Sequence, residues 1–180
     1  MTASRSDVQP LPDPQRHITD NDEHGKSFFS KAVSTALPVM NKLGTAHQRL
    51  GYLVPPRLAA LTSQEDLKVY VASLKDLPSL VPAGGNAAVW YIDMPPGTDS
   101  PMHRTVSLDI VIQIEGEVEL KLESGEKRIM RPGDLTIQRS TLHAWRNTSS
   151  EKWSRMIGIM AECQPVEAGG QVLGPDFPRH

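Results

Sequence analysis

The feature that most constrains this chain is a strict alternation of side chains within the stretch 95–116, P-P-G-T-D-S-P-M-H-R-T-V-S-L-D-I-V-I-Q-I-E-G. In a β-strand, side chains two positions apart point to the same face. One face of this stretch carries His103, Thr105, Ser107, Asp109, Val111 and Gln113, and three isoleucines lie on the other. A face bearing His, Asp and Gln inside an otherwise apolar strand is not ordinary core. We therefore expect this face to bind something polar.

Length and composition limit the class of protein. A chain of 180 residues is long enough for one domain with a single core. The net charge of −2 gives no electrostatic reason to expect nucleic acid or an anionic membrane as a partner. No run approaches the roughly 18 apolar residues of a membrane helix, and the N-terminus lacks the apolar segment of a signal peptide. The single Cys163 excludes an internal disulfide, so a reducing compartment, the cytoplasm, is expected.

Many short strands with frequent turn signals predict an all-β sandwich or jelly roll. Residues 46–54 and 87–94 read as strands, and after Gly116 charged and apolar residues alternate up to the Ser124-Gly125 turn. One short helix is expected from Thr62, because Thr62 and Glu65 have the spacing of a capping box. Its apolar stripe of Leu67, Val71 and Leu74 should pack on the outside of the sheet structure.

The predicted organisation has three parts. Residues 1–15 are polar and proline-containing, and are expected to form a disordered arm. Residues 16–163 form the domain, beginning with a hairpin whose strands are 16–20 and 26–31. The tail, 164–180, is rich in Gly and Pro, and either wraps over the domain or pairs with a second subunit.

A second stretch, 125–147, complements the first. It contains Gly125, Pro132-Gly133-Asp134, His143 and Asn147, and it ends in Q-R-S-T-L-H-A-W-R-N. The two stretches, 97–116 and 125–147, resemble the paired motifs of the cupin superfamily, G-x5-H-x-H-x3,4-E-x6-G and G-x5-P-x-G-x2-H-x3-N. The sequence H-R-T-V-S-L-D in the first stretch is similar to that of a single-domain cupin subgroup found near natural-product pathways in fungi and bacteria.

The chain departs from the cupin pattern at three places. Thr105 stands where the second histidine belongs, and Asp109 replaces the glutamate. The run from Asp134 to His143 is one residue short, with Gln138-Arg139-Ser140 where P-x-G usually lies. The resemblance nevertheless implies an all-β double-stranded β-helix, or jelly-roll barrel, with the short helix and the N-terminal strands packed outside it. It also implies a homodimer, because cupin barrels commonly pair.

The resemblance brings His103, Asp109 and His143 together inside the barrel. Two imidazoles and one carboxylate suit Fe, Mn, Ni or Zn rather than Mg or Ca, so these residues form the expected metal set, with Gln113 or water at an open position. Without a metal, the same residues are an acid/base group in which Asp109 fixes the imidazole tautomer. The sequence leaves both mechanisms open.

Further residues are assigned around this centre. Arg139, on the irregular connection, is a candidate for clamping a carboxylate or phenolate oxygen and completes the predicted catalytic group. The predicted substrate pocket is lined by Thr105, Ser107, Gln113, Trp145 and Tyr91.

The expected function is that of a small tailoring enzyme of secondary-metabolite biosynthesis acting on an aromatic or polyketide-like carbonyl compound. Metal- or His/Asp-assisted lyase chemistry would give decarboxylation, dehydration, isomerisation or cyclisation. The alternatives are a non-haem iron dioxygenase and a non-catalytic module that binds a small ligand.

Overall fold

Within residues 8–56 and 59–178, which this computed structural model describes, the chain forms short strands and one α-helix. The helix α1 spans Glu65–Ser73 and follows a 3₁₀ turn at Leu61–Ser63. The strands are β1 Thr19–Asn21, β2 Ser27–Phe29, β3 Asn41–Leu43, β4 Ala46–Val54, β5 Ala87–Met94, β6 Ser107–Glu115, β7 Val118–Leu122, β8 Lys127–Met130, β9 Leu135–Arg139, β10 His143–Asn147, β11 Ser154–Glu162, β12 Val166–Ala168 and β13 Gln171–Leu173.

Two antiparallel sheets build the barrel. The larger sheet has the order β3-β4-β5-β11-β6-β9 and the smaller has the order β10-β7-β8. Their inner faces share one apolar cluster, so the sheets pack face to face as in a jelly roll. The buried members of this cluster are Ala46, Met94, Val111, Val118, Leu120, Trp145 and Met156. The predicted all-β class and jelly-roll architecture are confirmed.

Strand β6 shows the predicted alternation. Ser107, Asp109, Val111 and Gln113 are buried on its inner face, whereas the alternate residues Leu108, Ile110 and Ile114 are 37–45% exposed. The strand is shorter than the alternation suggested, because regular pairing begins only at Ser107. His103 lies before it and reaches the smaller sheet through an isolated bridge to His143. The polar face is therefore the inner face of the barrel, and the apolar face is the outer one.

A second apolar cluster joins the helix to the larger sheet. Tyr70 of α1 is fully buried, and its hydroxyl lies 3.0 and 2.7 Å from the carbonyl oxygens of Leu50 and Gly51. Leu67 is buried as predicted, whereas Val71 and Leu74 are half-buried. The predicted start at Thr62 was wrong. The 3₁₀ turn occupies that position, so Gln64, with a φ of 54°, precedes the helix and no side chain caps it.

The N-terminal segments pack outside the barrel. Strands β1 and β2 form the predicted hairpin, three residues later than expected at its first strand. Residues 8–15 of the predicted disordered arm make defined contacts: the carbonyl of Val8 accepts a bond from the Trp153 indole, and Asp13 pairs with Arg49. The rest of that arm, 1–7, lies outside the described residues.

The C-terminal tail returns to the mouth of the barrel. After the β12–β13 hairpin, Asp176 and Arg104 exchange two backbone hydrogen bonds of 2.7 and 3.0 Å. This contact places the next residue, Phe177, beside His103. The tail therefore wraps over the barrel, which is one of the two arrangements expected for it. None of the helices in the described ranges is long and apolar enough to cross a membrane.

Candidate active site

A cavity of about 270 Å³ lies between the two sheets at the end where the tail crosses. Its wall is mostly apolar, with a few polar groups, which is the usual make-up of a small-molecule site. The principal apolar side chains are Leu43, Leu80, Ile92, Met94, Val111, Trp145, Met156, Met160 and Phe177. The buried or half-buried polar side chains are His103, Thr105, Asp109, Gln138 and His143.

The two histidines lie beside each other in the wall of this cavity. His103 and His143 exchange two backbone hydrogen bonds of 2.8 and 2.9 Å, and their ring centroids are 4.4 Å apart. In each ring Nδ1 lies beside a backbone carbonyl oxygen, that of Pro101 at 2.9 Å or that of Thr141 at 2.8 Å. A carbonyl only accepts, so each neutral ring carries its proton on Nδ1. The lone pair of each Nε2 is thus left available, and within the described residues it accepts no hydrogen bond.

Asp109 lies in the larger sheet, on the opposite side of the cavity. Its Oδ2 is 3.5 Å from the hydroxyl of Thr105, which in turn lies 2.6 Å from that of Ser107. The carboxylate makes no hydrogen bond to either imidazole, so the prediction that Asp109 fixes the imidazole tautomer was wrong. Two backbone carbonyls fix the tautomers instead.

Burial shifts the pKa values of Asp109 and His143 in opposite directions. Burial raises the pKa of Asp109 to about 6, and hydrogen bonds from Ser107 and Thr105 offset only part of this effect. Burial also lowers the pKa of His143 to about 4, partly opposed by the bond to the Thr141 carbonyl. At neutral pH His143 is therefore uncharged, and the carboxyl group of Asp109 titrates at a pH close to neutral.

The predicted metal ligands only partly converge. The imidazoles of His103 and His143 meet, but Asp109 stays with Thr105. Across the described ranges, no three His, Cys, Asp or Glu side chains are grouped so that they could hold a metal ion. The aspartate side chain is short and projects from the larger sheet, whereas His143 projects from the smaller one, so the carboxylate does not join the imidazoles. The three residues do not fit a shared metal, and no step is assigned to one.

Four other predicted site residues lie outside the cavity wall. Arg139 is exposed and shares the outer face with Leu108, its partner across β6 and β9, so it does not clamp a ligand. Tyr91 is also on the outer face, where its ring covers Gly51. Gln113 donates from Nε2 to the carbonyls of Glu115 and Gly116, and so ties the end of β6.

Ser107 is fully buried and supports Thr105 rather than facing the cavity. Thr105 and Trp145 do line the cavity, as predicted.

Gln138 and Phe177 are among the cavity residues that sequence reasoning missed. Gln138 is 4% exposed and is the direct cross-strand partner of Asp109. Its inward position follows from alternation within β9, but its apolar neighbours Leu135 and Ile137 point outward and conceal the signal. Phe177 comes from the Gly- and Pro-rich tail, where no local pattern indicates a cavity wall.

Comparison with known proteins gives the family. The family described as Cupin domain matches residues 90–159. A cupin-domain-containing oxidoreductase, srdB, of Neurospora crassa is 40% identical over 93% of this chain and 83% of its own length. This chain belongs to the cupin family. The Phomopsin biosynthesis cluster protein D of Diaporthe leptostromiformis is 38% identical to this cupin, over 97% of this chain and 92% of that protein. The solved structure of KdgF from Halomonas sp. aligns with a TM-score of 0.47 at 15% identity, covering 70% of this chain and 88% of that one.

The family context explains one irregularity of this cupin. Ser140 stands in the segment where the motif usually has P-x-G, and its φ is 52°. This left-handed conformation normally favours glycine. The Ser140 hydroxyl donates to the carbonyl oxygen of Thr105 at 2.9 Å, and its N–H donates to that of Ser107 at 3.0 Å. These two bonds hold the turn without glycine and fix the approach to His143. Members of the cupin superfamily often bind metals, whereas in this chain the predicted ligand Asp109 does not lie with the two histidines.

Proposed function

We propose that this cupin is a small-molecule tailoring enzyme of natural-product biosynthesis that acts on an aromatic or polyketide-like carbonyl compound by His/Asp-assisted lyase or isomerase chemistry. The observation that carries the proposal is a small apolar cavity holding an aspartate with a pKa of about 6 opposite a neutral histidine. Paired groups whose environments shift their pKa values in opposite directions are typical of acid/base sites. The name of the Diaporthe relative, a biosynthesis cluster protein, supports the role in natural-product biosynthesis.

The chemistry follows from the protonation states. Near neutral pH the Asp109 carboxylate is matched to remove a proton from the carbon beside a substrate carbonyl. The C–H bond breaks, and its electron pair moves to form an enolate with the negative charge on the carbonyl oxygen. The protonated carboxyl then returns the proton to another carbon, giving an isomer, or to a departing hydroxyl, giving water. These steps need no external oxidant or reductant.

The histidines have a different role in this proposal. In each ring Nδ1–H is used by a backbone carbonyl, so in the neutral form Nε2 accepts a hydrogen bond and donates none. His103 and His143 would therefore orient a substrate hydroxyl by accepting a hydrogen bond from it. This arrangement suits a hydroxylated carbonyl compound better than a simple ketone.

Deuterium exchange tests this function directly. Acetophenone and 2-hydroxyacetophenone are incubated with the protein in D₂O, and exchange beside the carbonyl is followed by NMR, with and without a chelator. We expect the wild type to catalyse exchange, and Asp109→Asn to lower the rate by about 100-fold or more. Exposed Glu123→Gln serves as the carboxylate control and should exchange like the wild type. Equal exchange by Asp109→Asn and the wild type would overturn the proposal and favour a non-catalytic ligand-binding role.

An iron oxygenase is the second candidate, favoured by the word oxidoreductase in the name of the Neurospora relative. In this cupin two imidazoles are available to an ion, whereas the carboxylate is not beside them. Elemental analysis of protein purified without added metal or chelator, combined with an oxygen electrode, distinguishes the candidates. Stoichiometric iron together with substrate-dependent oxygen uptake would establish the oxygenase.

We also propose that this cupin forms a homodimer, as the family resemblance implies. The outer face of β6 and β9 supports this, because it exposes a group of apolar side chains that pairing would remove from water. These are Leu108, Ile110, Ile114, Leu135 and Ile137. Size-exclusion chromatography with light scattering checks the proposal, and the mass of a single chain would overturn it.

The cytoplasm is the compartment we propose. Cys163 is free and half-buried, and a lone thiol without a disulfide partner is compatible with a reducing environment. Fluorescence microscopy of a tagged chain in the source cells would test this, and a signal confined to a secretory compartment would contradict it.

A further inference from the structure

Two buried polar groups of the cavity each lack one hydrogen-bond partner. Asp109 on β6 and Gln138 on β9 are directly opposite each other in the larger sheet, and they are 3% and 4% exposed. Within the described residues, Oδ1 of Asp109 and Nε2 of Gln138 are buried atoms without a hydrogen bond. Both side chains line the cavity. Leaving such atoms unpaired is costly in a folded protein, and this favours a bound group that pairs with them.

The other end of each side chain is already engaged, which fixes what each presents to a ligand. The Gln138 Oε1 accepts a hydrogen bond of 2.8 Å from the hydroxyl of Thr141, so its Nε2 remains as the donor. The Asp109 Oδ2 is next to the Thr105 hydroxyl, so its Oδ1 remains as the acceptor. A donor and an acceptor therefore stand side by side on adjacent strands, where opposite Cβ atoms are about 5 Å apart.

We infer that Gln138 and Asp109 together bind one edge of the ligand, a carbonyl oxygen with an O–H or N–H group beside it. Nε2 of Gln138 donates to the carbonyl oxygen, and Oδ1 of Asp109 accepts from the neighbouring hydrogen. This rests on the proposed function, whose substrate class it narrows to hydroxy-carbonyl, enol, carboxylic acid or carboxamide compounds. In that reaction the Gln138 donor also stabilises the negative charge that develops on the carbonyl oxygen.

A series of three isosteric probes isolates each contact. α-Methylstyrene offers neither group, acetophenone offers the acceptor, and benzamide offers an acceptor beside a donor. Affinities are measured by calorimetry at pH 8 for the wild type, Gln138→Leu and Asp109→Leu. Comparing one probe between two proteins cancels the hydration of that probe. Thr136→Val, an inward-facing change on the same strand β9 outside the cavity wall, is the matched control.

The expected pattern is specific. Gln138→Leu should weaken acetophenone and benzamide by about 5- to 10-fold and leave α-methylstyrene unchanged, since it removes one hydrogen-bond donor. Asp109→Leu should weaken benzamide by about 10-fold or more and leave acetophenone unchanged, because only benzamide donates to the carboxylate. Thr136→Val should bind all three probes like the wild type.

Other outcomes overturn the inference. Equal weakening of all three probes by Gln138→Leu, together with a lower unfolding midpoint, would show that the glutamine is merely structural. Unchanged benzamide binding in both variants, or no benzamide binding by the wild type at millimolar concentration, would also refute the pair. Failure of the proposed function gives a different result. In that case Asp109→Asn catalyses deuterium exchange like the wild type, while the affinities of the three probes still follow the expected pattern.

Discussion

The carboxylate of Asp93 forms a bidentate ion pair with the guanidinium of Arg155, with Nε–Oδ1 and Nη2–Oδ2 distances of 2.7 Å each. Arg49 adds a third bond of 2.7 Å to the same carboxylate, and all three residues are buried. The hydrogen bonds that Arg155 donates to Asp93 raise the pKa of Arg155, so its guanidinium stays charged. The second Nη2 contact of Arg155, to the carbonyl of Pro12, fastens the N-terminal segment to the sheet. This network joins β4, β5 and β11 behind the cavity.

Removing the central carboxylate should strongly destabilise the fold. We expect Asp93→Ala to lower the free energy of unfolding by about 3–5 kcal/mol, because two buried guanidinium groups lose their partner. Urea denaturation followed by circular dichroism measures the change. Asp99→Asn is the matched control, since the Asp99–Arg146 pair is mostly exposed and should contribute under about 1 kcal/mol. Similar losses for both variants would contradict this account.

The stability of the protein should depend on pH through Asp109. Its folded pKa of about 6 is above the ordinary value of 3.8, so the folded state favours the protonated carboxyl. The stabilisation is therefore complete below pH 3.8 and is lost as the pH rises through 6. Relative to the wild type, Asp109→Asn should gain about 2–3 kcal/mol between pH 4 and pH 7.5. Urea titrations across this range test it, and a constant difference between the two proteins would refute it.

The rate of deuterium exchange should follow the same titration. Since Asp109 must be ionised to remove a proton, the rate should rise with pH up to about 6 and then level off. His143 does not set the rise near pH 6, because with a pKa of about 4 it is mostly neutral over this range. NMR rates from pH 4.5 to 8.5 provide the measurement. A rate that falls as the pH rises through 6 would identify a protonated group as the essential form instead.

Phe177 should shield His103 from solvent. Their rings are stacked with centroids 5.9 Å apart and an interplanar angle of 21°. We expect Phe177→Ala to accelerate the modification of His103 by diethyl pyrocarbonate several-fold, as followed by peptide mass spectrometry. Phe29→Ala is the matched control, because Phe29 contacts the remote His17 and should leave the rate at His103 unchanged. Equal His103 rates in the wild type and Phe177→Ala would show that the tail does not cover the cavity.

Asn147 should be important for stability rather than for ligand binding. It is fully buried, and its Nδ2 lies 2.8–3.1 Å from the carbonyl oxygens of Met94, Pro95 and Lys152. We expect Asn147→Ala to cost about 2–4 kcal/mol, because several buried carbonyls lose a donor. Thermal and urea unfolding measure the cost. The exposed neighbour Thr148→Ala should change stability by under about 0.5 kcal/mol.

The local pattern was a reliable guide wherever one strand face is buried. Alternation placed Asp109 and Gln113 inside and Ile110 outside, because a strand in a two-layer barrel has one inner face. The same argument carried over to Trp145 on β10. The prediction for Arg139 failed because it treated this residue as part of an irregular connection, whereas Arg139 ends strand β9, where alternation points it outward.

The cavity residues likewise include some that the sequence places correctly and some that it does not. His103 and His143 were paired correctly from their motif positions, and the backbone bridge between them holds their rings together. Asp109 was expected beside them, yet its distance from the imidazoles depends on how far apart the two sheets lie. Phe177 reaches the cavity through docking of the tail, which has no local signature, whereas alternation within β9 does point Gln138 inward but its apolar neighbours conceal the signal.

The family, the all-β barrel and the inner face of β6 can be predicted from the amino-acid sequence, because side-chain alternation and motif spacing are local properties of a strand. The tautomers of the two histidines, the separation of Asp109 from them and its pairing with Gln138 become visible in the folded protein. These depend on the distance between the sheets and on backbone carbonyls that no side-chain pattern encodes.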